Sequence, residues 1–349
     1  MAASRYAFVA RLLTQAAALL AVSPGAHADP VADFYKGRTV TIVVGFPAGG
    51  AYDTHARVIA RHWTRYLPGK PVMVLQSMPG AGSLVSTNHV YNVAPKDGTV
   101  LGTFSRGNAM YPLLEGQVQF DPQKFNWIGS PAKETSLTVS MANLPFKTID
   151  DLRAREMVVG ATGAGGDSVV ISHMLNATLG TKMRVVSGYP GTGDVLLAME
   201  RGEAQGIGSV SYGVVKASRP TWFAEGRLNV ILQQGLEPHP TAFKGVPLPQ
   251  DLTTNAVDRQ ALELVLSRQT MAYPIAAPPG VPAERIAALR ASFVATMKDP
   301  DFLADAAKAQ MEIDPVDGQR MTEIVRRLFD APKEAVARAA SVIAAGSKK

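Results

Sequence analysis

Cysteine is absent from this sequence: none occurs among its 349 residues. Disulfide bonds, thiol chemistry and cysteine-based metal sites are therefore excluded, as is a lipid anchor attached to a cysteine. Charge is also scarce, because charged side chains make up 18% of the residues and apolar ones 46%. This balance excludes a wholly disordered chain, and the length suggests about two domains of ~150 residues each.

A nucleic-acid partner is not indicated. The formal net charge is +6, but Arg5 and Arg11 lie in an N-terminal leader, which leaves only a small positive excess in the rest of the chain. No run of lysine and arginine marks a face that would follow a phosphate backbone. We therefore predict no nucleic-acid partner.

The leader has the three parts of a secretory signal peptide. Two arginines precede an apolar stretch from Leu12 to Val22, and Ala26-His27-Ala28 forms the small-x-small pattern that signal peptidase cuts. The apolar stretch is about half of the ~20 residues that a membrane-spanning helix needs. We predict that residues 1–28 are a signal peptide cleaved after Ala28, and that the mature chain, from Asp29, works in the periplasm.

The mature sequence repeats one pattern of apolar runs and helical periodicity. The first half predicts strand, helix, strand, helix, strand over 39–44, 51–67, 71–77, 83–93 and 99–105. The second half repeats the order over 157–162, 168–180, 183–188, 193–202 and 204–210. A crossing segment with Pro122, Pro131 and Pro145 separates the halves, and the tail is largely helical. The pattern predicts an α/β protein built from two βαβαβ units.

A glycine cluster follows the first strand of each half. These clusters are "VGFPAGGAYD" at 44–53 and "GATGAGGDS" at 160–168, and each leads directly into a helix. Open α/β sheets bind ligands at the carboxyl ends of their strands, and a helix N-terminus attracts anions through its backbone N–H groups. Two such ends are suited to holding a carboxylate between them without a catalytic residue.

Several kinds of chemistry are disfavoured by spacing. Gly166-Asp167 stands where a phosphate-binding Walker loop needs Lys and Ser or Thr, and no cluster has the third glycine of G-x-G-x-x-G. The residues around Ser211 only approach the G-x-S-x-G nucleophile motif. His55 and His62 are seven positions apart on one predicted helix, which is too far for a shared metal ion. We predict no cofactor, no metal site and no catalytic residue.

Some of the polar residues near these loops have two readings. Asp53 and Asp167 lie early in the first helix of each half, where a cap of the helix N-terminus is the simpler explanation. Tyr52, Arg106 and Tyr189 either face a cleft or are exposed loop residues.

Three segments resemble a known family. "FYKGRTVTIVVGFPAGGAYDTHARVIARHW", "MPGAGSLVSTNHVYNVAPKDGTVLGTF" and "APPGVPAERIAALRASFVATMKDPDF" look like the solute-binding proteins of tripartite tricarboxylate transporters, of the Bug or TctC type. The resemblance covers nearly all of the mature chain in matching order. The combination of PAGGxxDxxAR, PGAG and a DG turn is specific, although each piece alone is weak.

The resemblance implies a bilobed periplasmic-binding-protein fold, with two βαβαβ-based lobes joined by a hinge around a ligand cleft. Lobe 1 would comprise residues 29–137 and 235–349, and lobe 2 residues 138–234. The partners would be a small carboxylate and the integral membrane permease subunits that receive it, and the protein would be a monomer. The predicted ligand-binding residues are Pro47, Ala48, Gly49, Gly50, Ala51, Tyr52, Asp53, Arg106, Thr162, Gly163, Ala164, Gly165, Gly166, Asp167, Ser168, Tyr189 and Ser211.

Departures from the family pattern bear on the ligand. His173 lies farther from the second glycine loop than the family's histidine, and Pro190 replaces a lysine. These changes disfavour a multiply charged ligand, so a monocarboxylate or an aromatic acid is as good a candidate as a dicarboxylate. Two alternatives stay open: a ligand-sensing protein for a membrane receptor, and an exported hydrolase-like enzyme on the same scaffold, with Ser211 or Asp53 as the reactive group.

Overall fold

Two β-sheets with helices packed around them organise the chain. The computed structural model describes residues 29–163 and 166–346. The predicted signal peptide, Ala164 and Gly165 lie outside the described residues.

The secondary structure follows the predicted alternation. The first half contains α1 (Pro30–Tyr35), β1 (Thr39–Val44), α2 (Ala51–Trp63), β2 (Val72–Ser77), α3 (Leu84–Asn92), β3 (Val100–Thr103), α4 (Tyr111–Leu114) and β4 (Asn126–Ser130). The second half contains β5 (Ser136–Met141), α5 (Ile149–Ala154), β6 (Met157–Gly160), α6 (Asp167–Leu179), β7 (Met183–Val186), α7 (Thr192–Glu200), β8 (Gly206–Ser211), α8 (Tyr212–Ser218) and β9 (Leu228–Gln234). The tail contains α9 (Ala256–Leu266), β10 (Ile275–Ala277), α10 (Ala283–Thr296), α11 (Pro300–Lys308), β11 (Val316–Asp317), α12 (Gly318–Phe329) and α13 (Lys333–Gly346).

The two sheets have the same order and direction of their three parallel strands. Sheet A has the strand order β11-β4-β10-β3-β1-β2, and sheet B has the order β7-β6-β8-β5-β9. In each sheet the first strand of a βαβαβ unit lies between the second and the third and pairs with both in parallel. Both predicted units are therefore confirmed, and each glycine loop lies at the carboxyl end of a central parallel strand.

Antiparallel strands complete both sheets, and the sequence pattern did not predict them. In sheet A, β10 pairs antiparallel with β3 and β4, and β11 with β4. In sheet B, β5 pairs antiparallel with β8 and β9. The crossing segment expected between the halves thus contains β4 and β5. The predicted first helix was also too long, because α2 ends at Trp63 and residues 64–67 form turns, with Arg65 and Tyr66 donating N–H bonds three residues back.

The tail helices connect the two sheets. α10 and α11 pack beside α2, whereas α13 contacts α9, α6 and the short α4. The largest apolar cluster accordingly extends from Trp127 in β4 through Leu262 and Val342 to Val159 in β6. The residue bounds of the two lobes stay a prediction. Within residues 29–163 and 166–346, none of the helices combines the length and apolarity needed to cross a bilayer.

One close contact in sheet A leads to a stability prediction. A Cβ on Gly129 in β4 would lie 2.3 Å from Phe293, a fully buried ring of α10. Gly129→Ala should therefore lower the free energy of unfolding by about 1–3 kcal/mol through overpacking. Urea denaturation measures this change. Gly193→Ala is the control, since a Cβ in that exposed first turn of α7 meets nothing within 4 Å, and a loss at Gly193 equal to that at Gly129 would contradict the explanation.

Candidate functional site

The first glycine loop joins β1 to α2 and is held by its own aspartate. Gly49 has a φ of +83°, a left-handed conformation that favours glycine, and its N–H donates to Asp53 Oδ2 at 2.9 Å. Arg57 donates to the same carboxylate from Nε at 2.8 Å and Nη2 at 3.0 Å. The hydrogen bond from Arg57 is the main reason that the pKa of Asp53 is lowered. The Asp53 carboxylate thus stabilises the loop from within.

The second glycine loop joins β6 to α6 and also closes on itself. The N–H of Thr162 donates to Ser168 Oγ at 3.1 Å, and the N–H of Gly166 donates to the carbonyl of Gly163 at 2.8 Å. Ala164 and Gly165, which we predicted to bind ligand, lie outside the described residues. The loop delivers Asp167 as the first residue of α6.

Arg106 joins the two halves of the molecule. It follows β3 of sheet A, and its guanidinium donates to Asp167 Oδ2 from Nε at 3.0 Å and from Nη2 at 2.5 Å. Its Nη1 donates to Glu134 Oε2, in the segment between β4 and β5. The three side chains are between 10% and 19% exposed. One nearly buried cation therefore connects sheet A, the crossing segment and the start of α6.

A second arginine completes this network. Arg268, whose side chain is 1% exposed, donates from Nη1 to Asp167 Oδ1 at 3.1 Å and from Nε to the carbonyl of Val265. Gln269 Nε2 lies 3.4 Å from Asp167 Oδ2. Two arginines and two carboxylates balance in charge, as buried ionic groups require.

The surroundings shift the pKa values of Asp167 and Glu134 in opposite directions. Burial alone would raise the pKa of Asp167, but the charges of Arg106 and Arg268 outweigh it and lower the pKa to about 2. Burial is the largest influence on Glu134 and raises its pKa, because Arg106 alone opposes it among the nearby cations. Asp167 is thus held as a carboxylate more firmly than Glu134 is.

A cavity of about 260 Å³ lies beside the first glycine loop, between elements of both sheets. The loop and the start of α2, which follow β1 of sheet A, line the cavity together with α8, which follows β8 of sheet B. The crossing segment supplies Glu134. The lining residues are Gly49, Ala51, Thr54, His55, Ala132, Lys133, Glu134, Gly213, Val214, Ala217, Ser218, Tyr273, Ala309, Gln310, Met311 and Glu312. Its size is just below the ~300 Å³ at which small-molecule pockets usually begin, so a small solute fits it best.

The lining combines aromatic and aliphatic side chains with charged ones. The rings of His55 and Tyr273 stack at 3.6 Å, and burial lowers the pKa of His55 to about 4, so this imidazole is neutral at pH 7. Lys133 pairs with Asp314 at 3.2 Å, and Glu312 pairs with Lys216 at 3.7 Å. The cavity can therefore contact an apolar body, whereas its exposed lysine is already paired.

Two known proteins are similar to this chain in sequence over half of its length or more. No protein-family model matches the chain. A UPF0065 protein from the gbd 5' region of Cupriavidus necator is 26% identical over 318 residues, which cover 87% of this chain and 88% of that protein. Protein BugT of Bordetella pertussis is 26% identical over 184 residues, 50% of this chain and 55% of BugT. The chain is thus similar in sequence to UPF0065 and Bug proteins.

Solved structures show the same fold. A TctC solute-binding protein from Polaromonas superposes with a TM-score of 0.66 at 18% identity, over 89% of this chain and 99% of that one. A Rhodopseudomonas palustris protein with adipate gives 0.65 at 18% identity, over 86% and 97%. MatC from the same organism, with bound malate, gives 0.62 at 20% identity, over 88% and 99%. The predicted bilobed periplasmic-binding-protein fold and the resemblance to the Bug and TctC type are thus confirmed.

The predicted site residues fall into separate groups. Gly49 and Ala51 line the cavity. The Tyr52 hydroxyl donates to the carbonyl of Ala272 at 3.1 Å and accepts the N–H of Arg106 at 3.2 Å. Arg106 and Asp167 meet as an ion pair.

Two other predicted residues have local roles in the structure. Ser211 Oγ accepts the N–H of Val214 at 3.1 Å and so caps α8. The backbone N–H of Tyr189 donates to Ala161 at 3.2 Å, and its ring packs with the apolar cluster of sheet B. A ligand role for either one stays a prediction.

Sequence reasoning missed Glu134, Arg268 and Gln269. None belongs to a motif, and Arg268 is 101 positions from the Asp167 that it contacts. The sequence pattern carried no signal for them, because no predicted strand or helix begins or ends beside these positions. Among the described residues, no group of three or more His, Cys, Asp or Glu side chains is arranged to hold a metal ion.

The lowered pKa of Asp167 predicts a pH dependence of stability. Its ordinary value of 3.8 falls to about 2 on folding, so the stabilisation is complete above about pH 4 and is lost as the pH falls toward 2. The advantage of the wild type over Asp167→Asn in free energy of unfolding should shrink by about 2 kcal/mol across that range. Urea titrations at a series of pH values measure it, and a difference that does not change with pH would contradict the ion-pair assignment.

Proposed function

We propose that this chain is an extracytoplasmic solute-binding protein, which captures a small carboxylate in the cavity between the two sheets and delivers it to a tripartite tricarboxylate-type membrane transporter. The observation that carries the proposal is the cavity itself. It is bounded by elements of both sheets and lies against the glycine loop at the start of α2.

The N-terminus of α2 is suited to a carboxylate. Its N-cap is Gly50, and no side chain caps the helix, whereas Asp29, Asn255 and Asp299 cap α1, α9 and α11. The first N–H groups of a helix have no partner within it and carry a partial positive charge. A solute carboxylate would take the place of the missing cap, and Gly49 and Ala51 mark this helix start in the cavity wall.

The similar proteins support a carboxylate as the solute. Adipate and malate accompany two of the structures with this fold, and both are small organic acids. The apolar contacts offered by the His55 and Tyr273 rings, Val214 and Met311 suit the alkyl or aromatic body of such an acid. Mono-, di- and aromatic carboxylic acids are all candidate solutes on these contacts.

The same geometry supports binding without chemistry. The Asp53 carboxylate is held by Gly49 and Arg57, and Ser211 Oγ caps α8. Both candidate reactive groups of the enzyme alternative are therefore engaged in local structure. We infer that the protein returns its solute unchanged, that it acts as a monomer, and that membrane permease subunits are its partners.

Substitution of Gly50 tests the site. Gly50 has an ordinary extended φ of −76°, and a Cβ there would touch only the carbonyl of Pro47 at 3.4 Å. Gly50→Val should therefore keep the melting temperature of the ligand-free protein but weaken solute binding at least tenfold, about 1.4 kcal/mol, by blocking approach to the helix N-terminus. The solute is identified by mass spectrometry of small molecules that co-purify with the protein, and affinity is measured by calorimetry.

Arg61→Ala is the control for this substitution. Arg61 pairs with Asp305 on the outer face of α2 and is 63% exposed, so its removal should leave affinity unchanged. Equal losses of stability and affinity in Gly50→Val would show that the loop is only structural. Undiminished binding would place the solute elsewhere.

Export has its own test. We propose that the chain is secreted to the periplasm and that residues 1–28 are removed. The intact mass of protein recovered from the periplasmic fraction should correspond to a chain that starts at Asp29. Retention of the leader together with membrane association would refute cleavage.

A further inference from the structure

Arg106 is separated from the cavity by one side chain. Glu134 lines the cavity and is also the acceptor of Arg106 Nη1. The other donors of Arg106, Nε and Nη2, are directed to Asp167, which is not part of the cavity wall. A solute in the cavity therefore meets the carboxylate of Glu134 before it meets the guanidinium.

The two acids on Arg106 are held unequally. Asp167 also accepts from Arg268 and lies beside Gln269. Arg106 is the only arginine or lysine that contacts the Glu134 carboxylate among the described residues. Because Asp167 keeps a second arginine when a competitor arrives, Glu134 is the exchangeable member of the pair.

The charges around the cavity leave no free cation for a second acidic group. Lys133, the only lysine or arginine in the described wall, already pairs with Asp314, and the wall also carries the acids Glu134 and Glu312. A solute that places one carboxylate at the α2 N-terminus would bring a second one toward these acids. Like charges at short range disfavour that arrangement.

We propose that Glu134 is a specificity-determining residue, which shields Arg106 from the cavity and thereby restricts the solute to a single carboxylate group. This inference rests on the proposed function, because it names the class of acid that the same cavity takes. Removal of the Glu134 side chain would expose Arg106 and add a second carboxylate subsite.

A first experiment needs no knowledge of the natural solute. The melting temperatures of the wild type, Glu134→Ala and Glu312→Ala are measured in sodium acetate and in sodium chloride of equal ionic strength. Acetate should raise the melting temperature of Glu134→Ala specifically, since it can replace the deleted carboxylate on the guanidinium of Arg106, whose side chain is only 12% exposed. Glu312→Ala is the matched control from the same cavity, because its partner Lys216 is 49% exposed and is hydrated when left alone.

A second experiment measures specificity. Hexanoate and adipate have chains of equal length and differ by one carboxylate, so calorimetric titration of both reports the preference directly. Relative to the wild type, Glu134→Ala should shift the affinity ratio toward adipate at least tenfold. The shift should be larger than that of Glu312→Ala, which removes the other acid of the wall but uncovers only the half-exposed Lys216. Glu134→Gln removes the charge and retains the shape, and it should shift the ratio in the same direction if the alanine variant does not fold.

The outcomes separate this inference from the proposed function. If acetate stabilises Glu134→Ala no more than the wild type, or if the ratio stays unchanged, the shielding role is wrong even when the wild type binds hexanoate. A wild type that prefers adipate more than tenfold would also overturn it. If the wild type binds neither acid but Glu134→Ala gains acetate binding, the shielding role stands and the proposed capture of carboxylates fails.

Discussion

The contact between Arg106 and Asp167 is the interaction on which the site depends. It joins the end of β3 in sheet A to the start of α6 beside sheet B. Both groups are nearly buried, and a buried charge is tolerated only when it is paired. Arg268 and Glu134 extend this pair without changing its net charge, because one adds a positive and the other a negative charge.

The same constraint supports the proposal that the site binds a solute without catalysis. The side chains that could act as reactive groups are held by fixed partners. Asp53 is bonded within its own loop, Ser211 caps a helix, and Asp167 is paired with two arginines. What stays available is the backbone of a helix whose N-cap is Gly50 and which lacks a side-chain cap. Such N–H groups attract an anion without donating a proton or attacking a bond.

In the proposed site, selectivity would come from charged side chains that are already paired with each other. A solute cannot contact a guanidinium that lies behind a paired carboxylate unless that carboxylate is displaced. A buried arginine therefore does not by itself indicate a multiply charged ligand. The similar structures with adipate and malate share 18% and 20% identity with this chain and establish only the fold. We infer that the charges that line this cavity, such as Glu134 and Lys133, decide which acid fits it.

The sequence by itself determined the local architecture. Apolar runs and helical periodicity predicted both parallel units, and the glycine clusters were correctly placed at strand ends, because strand, helix and turn preferences act over a few neighbouring residues. Strands of two or three residues, such as β10 and β11, carry no periodicity and form only because neighbouring strands are present to pair with them. The network of Arg106, Glu134, Asp167 and Arg268 was likewise decided by the tertiary structure. Residues that contact each other in this network lie up to 101 positions apart in the sequence. Only the packing of the two sheets brings their charges within hydrogen-bond distance.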